Sequence, residues 1–193
     1  TCVGLTAPEI RDYLARAIAR GVDNVVALRG DPPRGETEFK PIAGGFSYGN
    51  ELVAFIRSEF AQMGVAVGGY PEKHPESPDF ATDIDMLKRK VDNGATRAIS
   101  QFFFENDAFE RYVERVRRAG IYIPIVPGIQ PVHNITQVSN FAARAGAAKA
   151  LPDGWASMPA SWKAAQKKGC GCFAFSASCA RRRASASAFR FDC

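Results

Sequence analysis

Several features are scarce in this 193-residue sequence, and each scarcity narrows what the chain can be. No apolar run approaches the roughly 18 residues needed to cross a bilayer, so no membrane-spanning helix and no membrane partner are expected. Histidine occurs twice, and before residue 170 the only cysteine is Cys2, too few for a disulfide framework or a metal cluster in the body of the chain. No strand-like run leads into a Gly-x-Gly-x-x-Gly turn, and there is no Walker loop or Ser/His/Asp order. The first residue is Thr1, and Thr1-Cys2-Val3-Gly4-Leu5 has neither a basic lead-in nor a long apolar segment. That opening argues against a secretory signal and for a start within a longer parent, with a reduced, cytoplasmic setting.

The net charge of +5 invites a nucleic-acid reading, but its location argues otherwise. Residues 151–193 hold Lys163, Lys167, Lys168, Arg181, Arg182, Arg183 and Arg190 against Asp153 and Asp192. Subtracting these from the totals of 25 and 20 leaves 18 basic and 18 acidic residues in 1–150. The body is neutral, so no nucleic-acid partner is expected.

What the chain does have is ordinary globular composition, 46% hydrophobic and 23% charged, with β and α patterns in alternation. Thr6-Ala7-Pro8-Glu9 predicts a helix start with Thr6 as N-cap, and Ile10, Tyr13, Leu14, Ala17 and Ile18 keep helical spacing up to Gly21. The strand Val25-Val26-Ala27-Leu28 breaks into Arg29-Gly30-Asp31-Pro32-Pro33. A helix over 50–62 precedes a strand over 65–70, and a helix over 80–92 precedes a strand over 97–104. A helix over 107–119, a strand over 121–126 and a helix over 134–144 complete the pattern. Such βα repetition implies a parallel sheet, either doubly wound or part of an eight-fold barrel. Every strand ends in polar or Gly/Pro residues, as barrel strands do when all border one site, and this favours an α/β fold of the (β/α)8 TIM-barrel type, here incomplete.

The strand ends supply the site candidates: Arg29 and Asp31, Tyr70 and His74, Gln101, and Gln130 with His133. His74 either caps a turn or, on a stiff Pro-flanked loop, meets a ligand. Tyr70 is either a rim aromatic or a stacking platform. Gln101 ends an apolar strand, where an amide is costly unless paired and where donor and acceptor together suit a heterocycle. Phe102-Phe103-Phe104 is read as packing for at least two of the three. Lys88-Arg89-Lys90 is either a solvated face with i,i+4 partners or a phosphate holder.

Seven pieces in order resemble the methylenetetrahydrofolate reductase family over residues 1 to about 148. They are Thr1-Cys2, Ala27-Leu28-Arg29-Gly30-Asp31-Pro32, Gly45-Phe46-Ser47-Tyr48, Tyr70-Pro71-Glu72 with His74-Pro75-Glu76, Lys88-Arg89-Lys90-Val91-Asp92-Asn93-Gly94-Ala95, Gln101-Phe102-Phe103-Phe104 and Val126-Pro127-Gly128-Ile129. The resemblance implies a barrel that binds FAD at the carboxyl ends of its strands. NADH or NADPH would reduce the flavin, which would reduce 5,10-methylenetetrahydrofolate to 5-methyltetrahydrofolate. Matched residue by residue, Arg29, Gly30 and Asp31 would line the flavin, with Asp31 as the catalytic group between its pyrimidine edge and the folate. Tyr48, Gly49, Tyr70, His74, Asp83, Arg89 and Lys90 would also contact FAD, while Gln101, Gln137 and Phe141 would serve folate and nicotinamide. Met86 stands where some relatives carry an Asn contact. The family's general-acid Glu would lie before Thr1. The resemblance leaves the oligomeric state open, a homo-oligomer included.

Beyond residue 148 the pattern fades into a low-complexity segment. Cys170, Cys172, Cys179 and Cys193 lack zinc spacing, and Arg181-Arg182-Arg183 lacks the aromatic interleaving of a nucleic-acid arm. Residues 1–148 are therefore expected to form the partial barrel and 149–193 a divergent, disordered or artefactual tail.

Overall fold

A computed structural model describes residues 1–32, 39–130 and 135–144. The elements are α1 (Ala7–Ile18), β1 (Asn24–Ala27), α2 (Gly49–Glu59), β2 (Gly64–Gly69), α3 (Phe80–Asp92), β3 (Arg97–Phe102), α4 (Asn106–Arg118), β4 (Ile125–Gly128) and α5 (Ile135–Arg144). The four strands form one parallel sheet in the order β1-β2-β3-β4. A doubly wound sheet reverses direction at a switch point, whereas here each strand lies beside its predecessor, which is the winding of a barrel wall. The fold is α/β, an arc of a (β/α)8 barrel.

Alternation along the strands sets the two faces. Ala27, Val65, Val67 and Ala98 are buried in the core with Leu52, Val53 and Ile56 of α2, Ile84 and Leu87 of α3, and Tyr112 and Val116 of α4. The opposite face carries Val26 beside Ala66, and Gly68, Ile99 and Val126 in a row. Val26 is 50% exposed and Val126 43%, so this apolar inner face is open among the described residues.

The local reasons follow the sequence closely at α1, where Glu9 accepts from both the backbone N–H and the hydroxyl of Thr6 (2.8 and 2.7 Å). At α3, Asp79 caps the helix by accepting from the Thr82 N–H at 2.7 Å. Strand β3 ends at Phe102 rather than at residue 104, and two boundaries differ from expectation by three residues or more. The helix expected to reach residue 62 ends at Glu59, because Arg57 bonds the carbonyls of Ala61 and Met63 (2.5 and 3.0 Å) and ties that turn back. The fourth strand starts at Ile125 rather than at residue 121 and continues through Pro127-Gly128. Arg117 holds the carbonyls of Ile121 and Ile123 (2.6 and 3.0 Å), and Pro124 has no N–H to donate. Pro127 is tolerated because β4 closes the row of described strands.

Candidate functional site

The carboxyl ends of β1 and β2 build the centre of the site. Cys2 runs alongside the end of β1, its N–H donating to the carbonyls of Leu28 (3.2 Å) and Arg29 (2.9 Å). Gly30 has φ +90°, and a Cβ there would sit 2.6 Å from Val3 Cγ2, so only glycine lets this segment pass. Arg29 emerges beside it. Its guanidinium donates to Glu76 Oε1 at 2.7 Å and lies over the Phe39 ring, 5.2 Å from the centroid. That bond raises the Arg29 pKa and lowers the Glu76 carboxyl. Asp31 is exposed, and its charge acts on both Arg29 and Tyr70.

The loop after β2 is held by its own polar atoms. Tyr70 and His74 pack edge to face with centroids 4.6 Å apart. His74 Nδ1 accepts from the Glu76 N–H at 3.1 Å. Asp83, buried in the first turn of α3, accepts from the His74 N–H (3.4 Å) and the Ser77 hydroxyl (3.2 Å). Burial pushes the Asp83 carboxyl up, these two bonds opposing it. Burial likewise raises the Tyr70 phenol and lowers the His74 imidazole. Lys73, at φ 78°, turns its ammonium onto the carbonyls of His74 and Ser77.

The third component is the start of α2. Gly49 is buried in its first turn; a Cβ there would meet the Arg29 backbone nitrogen at 3.6 Å and Lys90 Cε at 3.8 Å. Burial lowers the Lys90 pKa; Asp83 opposes that and Arg29 adds to it. The Lys90 side chain thus runs past a helix N-terminus at a residue with no side chain, within range of the Arg29 charge, an arrangement suited to an anion of phosphate type. Tyr48, the N-cap, is 53% exposed beside it.

The three neighbouring positions Lys88, Arg89 and Lys90 separate in space. Lys88 pairs with Asp92 and Arg89 with Asp85 at 2.9 Å, both i,i+4 on the exposed surface. Lys90 lies seven residues after Asp83, about 20° round the helix, while Arg89 lies about 120° away. On β3, Gln101 is half-buried and its Oε1 accepts from the Phe102 N–H at 3.1 Å. Phe141 of α5 stacks on Phe102 at 5.4 Å, bringing α5 over that strand end; Gln137 is exposed one turn earlier. Phe102 and Phe104 are buried and Phe103 stacks on Phe109, the packing expected of them. His133 and the tail cysteines lie outside the described residues.

Arg29, Asp31, Gly49, Tyr70, His74, Asp83 and Lys90 therefore share one cluster, with Gln101 on the next strand end and Phe141 of α5 stacked against that strand's Phe102. Sequence reasoning quoted Glu76 within a motif but gave no role to it, nor to Ser77, Lys73 or Tyr112. Glu76 and Ser77 carried a signal, polar residues two and three after His74 on the same loop. Lys73 and Tyr112 carried none, since each looks like an ordinary loop cation or core aromatic. Among the described residues no group of three His, Cys, Asp or Glu can hold a metal ion, and no helix is long and apolar enough to cross a membrane.

Comparisons with known proteins agree with the winding. The family described as methylenetetrahydrofolate reductase matches residues 1–160. The 5,10-methylenetetrahydrofolate reductase of Escherichia coli strain K12 is 42% identical over 142 residues, 74% of this chain and 46% of that protein. Methylenetetrahydrofolate reductase 2 of Saccharomyces cerevisiae is 40% identical over 148 residues, 75% of this chain and 24% of that protein. The chain thus spans between a quarter and a half of the curated relatives it matches. A solved structure, described as an uncharacterized protein from Clostridium thermocellum that binds two copies of 5-methyl-5,6,7,8-tetrahydrofolic acid, is similar in fold. Its TM-score is 0.51 at 15% identity, over 89% of this chain and 53% of that one. With the strand winding, the strand-end cluster and these matches together, the chain belongs to the methylenetetrahydrofolate reductase family.

Proposed function

We propose that this chain carries part of an FAD site for the reduction of 5,10-methylenetetrahydrofolate to 5-methyltetrahydrofolate by NADH or NADPH. The observation that carries the reading is the Gly49 cradle, formed by the Arg29 backbone and the Lys90 side chain. Its donors suit a dinucleotide diphosphate: helix N–H groups and the desolvated Lys90 ammonium, with the Arg29 charge near enough to act on Lys90 and no side chain at Gly49 to fill the space. Tyr48 flanks the cradle, and Arg89 would have to exchange Asp85 for the ligand. Asp83 is a buried anchor that holds the His74 loop in place. Tyr70 and His74 would form one wall of the ring site, with Gly30 and Asp31 beside them. When bound, FAD supplies the two-electron carrier between nicotinamide and folate. Asp31 would disfavour extra negative charge on that carrier and favour a cationic folate. Gln101, Gln137 and Phe141 would meet folate and nicotinamide.

The open inner face at Val26, Leu28 and Val126 favours a second reading, an inactive barrel fragment with at most residual flavin binding. One experiment separates them. The 193-residue chain is mixed with FAD, passed through gel filtration and its visible spectrum recorded. A flavin band that travels with the protein supports the first reading, and its absence supports the second.

A further inference from the structure

Tyr112 sits on α4, beneath the strand ends rather than among the cluster residues, and it is 1% exposed. Its hydroxyl lies beside the Tyr70 backbone N–H, yet among the described residues no donor or acceptor meets it in good geometry. A buried hydroxyl left without a hydrogen bond opposes folding, and a phenylalanine would fill the same space without that cost. The hydroxyl also dictates its neighbour. A Cβ on Gly69 would fall 2.1 Å from Tyr112 Oη and 3.1 Å from Cζ, so the oxygen is the harder of the two close contacts that a side chain there would meet. Gly69 is the last residue of β2, and the next residue is Tyr70, whose ring meets His74 edge to face.

We propose that Tyr112 is a positioning residue whose hydroxyl, pressed on the Gly69–Tyr70 junction, sets the height of the strand end and with it the Tyr70–His74 pair. The inference rests on the flavin reading for its functional consequence but not for its geometry. The hydroxyl is retained at the expense of stability because it keeps the ring pair where the ligand seats.

Tyr112→Phe in the full chain tests this through three readings: thermal midpoint, FAD affinity by flavin fluorescence quenching, and the His74 Cε1–H resonance. His74 is one of two histidines, which makes the signal assignable. The expected result is an unchanged or higher midpoint, a roughly five- to tenfold weaker FAD Kd and a shifted His74 resonance. A lower midpoint with unchanged His74 resonance and unchanged FAD affinity would mark Tyr112 as packing only and overturn the proposal. Gly69→Ala is the second arm. It should disturb the fold in the native background and be tolerated better beside Tyr112→Phe, where the 2.1 Å conflict is gone. Equal damage in both backgrounds would also overturn it. If the unaltered chain does not bind FAD, the flavin reading fails, and the His74 resonance and the Gly69→Ala pair still decide Tyr112.

Discussion

Arg29 at the end of β1 and Glu76 on the loop after β2 are joined by a 2.7 Å ion pair that ties together strand ends 47 residues apart. Only one guanidinium nitrogen reaches Glu76, and Lys90 lies close enough to feel the Arg29 charge. An incoming phosphate would therefore compete with Glu76 for Arg29. An ion pair this exposed is worth about 0.5 kcal/mol, so Glu76→Gln should tighten pyrophosphate binding about two- to threefold. Lys90→Met should weaken FAD binding about tenfold or more, near 1.4 kcal/mol, and flatten its salt dependence. Titration calorimetry at two salt concentrations checks both; equal affinities for all three proteins would remove the cradle.

His74 makes the loop acid-sensitive. Burial lowers its pKa from 6.5, so the unfolded chain takes up the proton first as pH falls. Its contribution to stability is fully present above 6.5 and is lost as pH drops from there through the lowered folded value. Urea melts of the native chain and His74→Gln between pH 7.5 and 5 should converge on the acid side. Parallel curves would show that the imidazole stays accessible to protons in the fold.

Two arginines repeat one device. Arg57 bonds the carbonyls of residues 61 and 63, and Arg117 those of residues 121 and 123, each closing the turn between a helix and the next strand. Hydrogen bonds from a charged donor to otherwise open carbonyls stabilise by about 1–2 kcal/mol at partly buried sites. Arg57→Ala and Arg117→Ala should each lower the urea midpoint accordingly, since one nitrogen, Nη1, makes both bonds in each case.

Gly30→Ala should detach the first residues from β1. The added Cβ meets Val3 at 2.6 Å, and φ +90° costs an L residue about 1–2 kcal/mol. Cys2, now buried with its thiol pKa raised by that burial, should alkylate faster, as read by mass spectrometry of its peptide. An unchanged alkylation rate would mean that the 1–3 segment does not depend on the close approach.

Local chemistry made much of this chain readable in advance. Helix α3 runs over residues 80–92 as its apolar spacing requires, and α1 starts at the Thr6–Glu9 box because both halves of that contact lie within one turn. The fourth strand was misplaced because Ile121-Tyr122-Ile123 has the β-branched and aromatic content of a strand. Its carbonyls are claimed by Arg117, a contact that no local pattern announces.

The sequence by itself determined the alternation of strands and helices, the polar strand ends and the family, since these rest on neighbours in the chain and on ordered motifs. Only the tertiary structure decided the winding, because strand order is a choice among pairings that local propensity does not rank. It also separated Lys90 from Arg89, placing the one beside Gly49 and Arg29 and the other against Asp85. Their adjacency in sequence says nothing of that, because successive helix positions point about 100° apart. And it brought Tyr112 against Gly69, 43 positions earlier, where close packing between α4 and the end of β2 turned an ordinary core aromatic into a constraint on the site.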